Sequence, residues 1–218
     1  MLVAFSSEKG GAGKTVSSTA VATCWHEQGL KTLLVDLDRQ GTSRDWKTAA
    51  EQLGVDAPTV IAMGEGFEDD LPALAATYDR VVIDAPGAYG RLMAGCLSIV
   101  DVFLIPVRPG FPDLWSTLKT YKLAERAMQR REELKTFAML TQLDRRETIS
   151  KKLRPWLEER MVPVLDASFG RRTEFSYALG QGMGPTNYAP DGVAAKEVRA
   201  LCSSLDRIHS SDEVKNAV

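Results

Sequence analysis

Cysteine is scarce in this 218-residue chain: Cys24, Cys96 and Cys202 lie far apart, show no paired metal-ligand spacing and leave an odd one over. That arrangement excludes a zinc module or a disulfide framework and suits a reducing compartment with free, buried thiols. Histidine is scarcer still, and His26 and His209 have no partner at ligand spacing, so packing or surface positions are expected of them. Trp25, Trp46, Trp115 and Trp156 are scattered, without the aromatic and basic interleaving of a single-strand nucleic-acid binder. No apolar run approaches the roughly 18 residues of a membrane span, and Met1 leads straight into a strand pattern with no basic leader. A soluble, cytoplasmic protein that is not exported is the expectation. No Pro/Gly/Ser-rich linker, repeat or low-complexity segment divides the chain, and 44% hydrophobic residues can fill the core of one domain over residues 1–218. The net charge is only −2, but residues 1–109 carry 9 Lys/Arg against 14 Asp/Glu, and residues 110–218 carry 18 against 15. The basic excess in the second half is a modest footprint for a polyanion.

The densest chemical signal is Lys9-Gly10-Gly11-Ala12-Gly13-Lys14-Thr15, close behind the apolar run Leu2–Phe5 and ahead of a helical pattern from Val16 to Gln28. A strand, a glycine-rich turn and a helix in that order make a phosphate cradle. Glycines let successive N–H groups converge on an anion, and the helix N-terminus adds partial positive charge. Lys14 is then placed against the β and γ phosphates of ATP, Thr15 offers its hydroxyl to Mg²⁺, and Val16 opens the helix. Two further apolar runs end in acids: Thr32–Asp38, and Arg80–Asp84 followed by Pro86-Gly87. Carboxylates at the C-terminal ends of buried strands face the ligand crevice of an α/β sheet. Asp84 at such a position, downstream of the cradle, reads as the carboxylate that holds Mg²⁺ through water.

The loop departs from Gly-x-x-x-x-Gly-Lys-Ser/Thr because Glu8 stands where the first glycine would be and a second lysine, Lys9, follows. It resembles the deviant Walker A loop of the ParA/MinD family. The resemblance implies an ATP-sandwich homodimer in which Lys9 reaches the nucleotide held by the other subunit; a solvated loop cation paired with Glu8 is the plainer alternative. Val35-Asp36-Leu37-Asp38-Arg39-Gln40-Gly41 is similar to the family's Asp-x-Asp-Pro-Gln-Gly segment, which implies that Asp38 positions the attacking water while Asp36 supports the magnesium shell. One of the two acids merely capping the next helix is the competing reading, and Arg39 in place of proline leaves the stiffness of the turn open. Ile83, Asp84 and Pro86 match the family's Ile-Asp-x-Pro segment. The turn Pro86–Gly90 either senses the γ-phosphate or simply joins strand to helix. Pro106-Val107-Arg108-Pro109 resembles the segment that borders the base pocket and the dimer face, so Pro106 is expected there. Gln142, after a strand ending at Thr141, falls where relatives place a polar residue beside adenine.

Strands are expected at 2–6, 32–36, 80–84, 102–106, 136–141 and near 162–165, with a weak one at Thr59–Ala62. Helices are expected over Ser43–Gln52, in the run to Thr77, and from Asp113, as N-cap, to about Arg131. This alternation predicts an α/β fold, a mainly parallel twisted sheet covered by helices on both faces. From Arg145 onward basic residues gather as Arg145-Arg146, Lys151-Lys152-Arg154, Arg171-Arg172, and Lys196 with Arg199, which share a helix face. Lys151, Lys152, Arg171, Arg172, Lys196 and Arg199 are candidate DNA contacts, though solvated helix charge explains any single one equally well. The resemblance is nearest to the small ParA proteins of plasmid partition, which lack an N-terminal helix-turn-helix. It implies a nucleoid-associated ATPase that binds nonspecific double-stranded DNA as the ATP-bound homodimer, and a ParB-like or other adaptor that stimulates hydrolysis. A MinD-like division-site regulator is the main alternative, but Arg207–Asp212 lacks the basic apolar face of a membrane helix. The cysteine spacing gives little support to an iron–sulfur branch, and a small-metabolite kinase is a weaker choice.

Overall fold

The computed structural model describes residues 1–87 and 90–216, and side chains through Ser211. Six strands run β1 (Leu2–Phe5), β2 (Thr32–Asp36), β3 (Thr59–Ala62), β4 (Arg80–Asp84), β5 (Val102–Val107) and β6 (Lys135–Leu140). Between and after them lie α1 (Lys14–Glu27), α2 (Thr42–Leu53), α3 (Phe67–Ala75), α4 (Arg91–Ile99), α5 (Phe111–Met128), α6 (Thr148–Glu158), α7 (Thr173–Gly180), the single turn α8 (Pro185–Tyr188) and α9 (Val193–Asn216). The sheet order is β3-β2-β4-β1-β5-β6, and every pairing is parallel.

Parallel strands joined by helical crossovers must be covered on both faces, and the strand residues divide accordingly. Ala4, Val81, Ile83, Phe103 and Ile105 point into a core closed by α3, α4, α5 and α6. Their alternate neighbours Val3, Phe5, Val82, Val102 and Leu104 point into a second core closed by α1, α2, α7 and α9. Each large side chain buried this way contributes roughly 1.5–3 kcal/mol. The helix α1 lies between the sheet and α9, so it is buried nearly all round. Two of its buried hydroxyls turn back on the helix itself: Thr19 and Thr23 donate to the carbonyls of Thr15 and Thr19, at 2.7 and 2.9 Å.

Three expectations change. The strand expected near 162–165 is reduced to an isolated bridge between Ala138 and Val164, because Pro163 has no N–H to give and accepts only, from Ala138 N at 2.8 Å. Asp113 is not an N-cap. The helix α5 starts at Phe111 behind Gly110, and Asp113 in its first turn accepts from Arg108 Nε at 2.9 Å. The helix α1 starts at Lys14 rather than Val16, which brings the cradle directly onto its first turn. Ala88 and Tyr89 of the expected phosphate-sensing turn lie outside the described residues.

Candidate functional site

The chain leaves β1 at Phe5, bends through Ser6 to Gly13 and enters α1 at Lys14. Gly13 has φ 94°, which a side chain tolerates poorly, and it offers no cap to the helix. With neither a capping side chain nor an acid in the first turn, the leading N–H groups and their partial positive charge face the crevice. The cradle is braced from the far side of the sheet. Thr141 Oγ1 donates to Ala12 O at 2.9 Å, Gln142 Nε2 donates to Gly11 O at 3.0 Å, and the Arg108 guanidinium, anchored on Asp113, lies against Gly11.

Lys14 is 8% exposed and donates to Lys9 O at 3.4 Å. Burial lowers its pKa, while the charges of Asp84 and Asp38 oppose that shift. A Cβ at Gly87 would stand 3.1 Å from its Nζ, so the turn after β4 comes against the amine where a larger residue would crowd it.

Asp84 ends β4 in register with Asp36 of β2 and Phe5 of β1. Its Oδ2 accepts from Ser43 Oγ at 2.8 Å, whereas Oδ1 is buried with no hydrogen-bond partner among the described residues. Burial pushes this carboxyl up to about 6, with the Thr15 and Ser43 hydroxyls pulling the other way. A buried carboxylate oxygen without a donor is costly, and it fits a site meant to receive a cation or its water. No cluster of three or more His, Cys, Asp or Glu suited to a metal occurs among the described residues. Mg²⁺ needs no such cage, since one or two protein oxygens and phosphate oxygens suffice. Thr15 and Asp84 fit that requirement.

Both Asp36 oxygens are already engaged, Oδ1 by Asp38 N at 2.9 Å and Oδ2 by Arg44 Nε at 3.2 Å. Asp36 therefore braces the Asp38 turn and adds negative charge beside Asp84. Asp38 is half-buried and accepts from Gln40 N at 3.0 Å. Arg44 supplies the stiffness that Arg39 in place of proline left open, donating to the carbonyls of Asp38 and Arg39, each at 3.4 Å. Ser43 and Arg44 are site residues that the sequence did not reveal, because nothing in a helical run marks which positions face a distant strand end.

Pro106 is buried inside β5 opposite Met139 and does not line the crevice; the part of its segment that reaches the cradle is Arg108. A cavity of about 530 Å³ opens beside Gly13 and Val16. Its walls include Gln142, Phe169, Arg172 and Phe175, with the two phenylalanine rings 4.7 Å apart. Arg171 lines the same space, and Arg172 is locked to Glu197 by bonds of 3.1 and 2.6 Å. These two arginines, grouped above with the DNA candidates, thus sit beside the nucleotide crevice. Lys151 and Lys152 are exposed on α6, and Lys196 and Arg199 on α9, helices that cover opposite faces of the sheet. One protomer does not gather the four on a shared helical layer. Lys9 is exposed and forms no salt bridge among the described residues; Glu8 turns instead to Ser116, accepting from its Oγ at 3.0 Å.

The maintenance of carboxysome distribution protein A of Halothiobacillus neapolitanus is 28% identical over 200 residues, covering 90% of this chain and 92% of that one. The sporulation initiation inhibitor protein Soj of Bacillus subtilis is 24% identical over 212 residues, covering 74% and 83%. The septum site-determining protein MinD of Pyrococcus horikoshii, solved with Mg-ADP, superposes with a TM-score of 0.76 at 18% identity, covering 95% and 96%, a likeness of fold. Residues 3–186 match the CobQ/CobB/MinD/ParA nucleotide binding domain, which spans the cradle, both acidic strand ends and the cavity. The chain belongs to that family.

Proposed function

We propose that this protein is an ATPase that closes into a homodimer around two Mg·ATP, binds nonspecific duplex DNA in that state and is released when a partner protein stimulates hydrolysis. The observation that carries the reading is the buried, donorless Asp84 Oδ1 beside Lys14 and Thr15. Lys14 neutralises charge on the transferring phosphoryl group, and the first turn of α1 holds its oxygens. Asp38, held by Asp36 and Arg44, orients the attacking water. Thr15 and Asp84 hold Mg²⁺, which supplies charge neutralisation between the phosphates. Lys9, exposed and free of Glu8, serves the partner subunit's nucleotide. Catalysis of this kind is mostly positioning and electrostatics, so a site that needs a second copy and a stimulating partner turns over slowly alone.

The names of the relatives in carboxysome distribution and sporulation control favour the positioning of a cargo or of DNA over metabolite chemistry. The alternative of a membrane-bound regulator is disfavoured by α9, whose apolar residues Leu201, Leu205 and Ile208 pack against the core. Sedimentation velocity with a nonhydrolysable ATP analogue, followed by gel shift on random-sequence duplex with ATP, ADP or no nucleotide, tests the reading. A dimer and a shift with triphosphate alone are expected, and Lys9→Ala should bind nucleotide yet abolish both. A nucleotide-saturated native protein that stays monomeric defeats the proposal.

A further inference from the structure

A groove of about 540 Å³ lies between α4 and α5, away from the nucleotide crevice. Its floor is apolar, formed by Met93, Ala94, Leu97, Leu123 and Ala127. Leu123 is 37% exposed, so apolar surface reaches solvent there. One rim is cationic. Arg126 in the last turn of α5 and Arg130 two residues past its end are both exposed, and neither forms an ion pair among the described residues. Arg131 beside them is fixed, donating to the carbonyls of Leu97 and Val100 at 3.0 and 3.1 Å, so it ties the end of α4 to α5 and holds the groove open. Cations at the end of a helix offset its dipole, but that role requires no apolar trough alongside.

We propose that this groove docks an acidic amphipathic helix of a partner protein. Both walls are helices whose backbone groups are internally bonded, so no strand can add to an edge, and the apolar trough between them suits helix-in-groove docking. Apolar anchors at i, i+3 and i+4 fill the floor, and carboxylates about one turn apart meet Arg126 and Arg130. Charge of that sign steers encounter and selects against basic segments. Gly90, at the head of α4, lines the groove and lies six residues beyond Asp84, the carboxylate that ends β4. A docked helix that touches Gly90 therefore bears on the chain just after Asp84 and, through it, on hydrolysis. This consequence rests on the ATPase reading above, whereas the docking itself does not.

The test uses the full chain with ¹³C-methyl-labelled Met and Leu, and two designed peptide helices that share one leucine stripe and differ only in flanking Glu or Lys. The Glu peptide is expected to shift the methyls of Met93, Leu97 and Leu123 and to bind at least about tenfold tighter than the Lys peptide. Arg126→Glu with Arg130→Glu should reverse that order, and unchanged distant methyls would show the variant folded. Equal binding of both peptides, no shift with either at millimolar concentration, an order unchanged in the variant, or groove signals that respond to protein concentration alone each overturn the docking. Turnover measured with the Glu peptide reads the coupling separately: a change is expected, and an unchanged rate in an active enzyme refutes the link to hydrolysis.

Discussion

Ser43 Oγ donates to Asp84 Oδ2 at 2.8 Å across 41 residues of sequence, so the first turn of α2 fixes one oxygen of the carboxylate and leaves the other bare. Ser43→Ala removes the hydroxyl that donates to Oδ2 of this buried group. A loss of about 1–3 kcal/mol in urea unfolding at neutral pH is expected, together with weaker magnesium dependence of nucleotide binding. Wild-type stability in the variant would mean that water replaces the hydroxyl.

Burial lifts Asp84 from 3.8 to about 6. The fold binds this proton more tightly than the unfolded chain does, so the group's stabilisation is complete below about pH 4 and is lost as pH rises through about 6. Without ligand, denaturant unfolding between about pH 4 and about pH 7 should show that fall, and Asp84→Asn should remove it. A bound cation favours the ionised form, so nucleotide binding in Mg²⁺ should release a proton near pH 6, readable by calorimetry in buffers of different ionisation enthalpy.

Arg44 clamps Asp36 and two carbonyls of the turn that carries Asp38. On the proposed mechanism, Arg44→Ala should lower kcat about tenfold while nucleotide affinity stays within about twofold, because the clamp holds the turn that carries Asp38 and has no part in phosphate binding. Equal losses in kcat and affinity would place Arg44 on the nucleotide instead.

The basic pairs on α6 and α9 cover opposite faces of the sheet, and Arg199 is already committed to Pro190 O at 2.6 Å. Replacing Lys151 and Lys152 by alanine in both protomers should therefore reduce the salt slope of DNA binding by the dimer by up to about four, and replacing Lys196 and Arg199 should leave it nearly unchanged. Equal reductions would show that both pairs lie against DNA in the assembled dimer.

Local chemistry in the sequence was enough for the cradle and the sheet. Glycine spacing before Lys14, strands buried on both faces and acids at their ends follow from neighbours a few residues apart, and their periods can be read without coordinates. The weak strand Thr59–Ala62 was legible too, as the edge strand β3. What could not be read is whatever depends on which distant residues meet. Ser43 on Asp84, Arg44 on the Asp36 turn and Arg172 on Glu197 are set by how helices settle on the sheet, and a helical period does not record the partner across the crevice. The same limit governs charge: sequence counted the basic residues of the second half, and only the layering of α6 and α9 on opposite faces determined that the chain does not bring them together by itself.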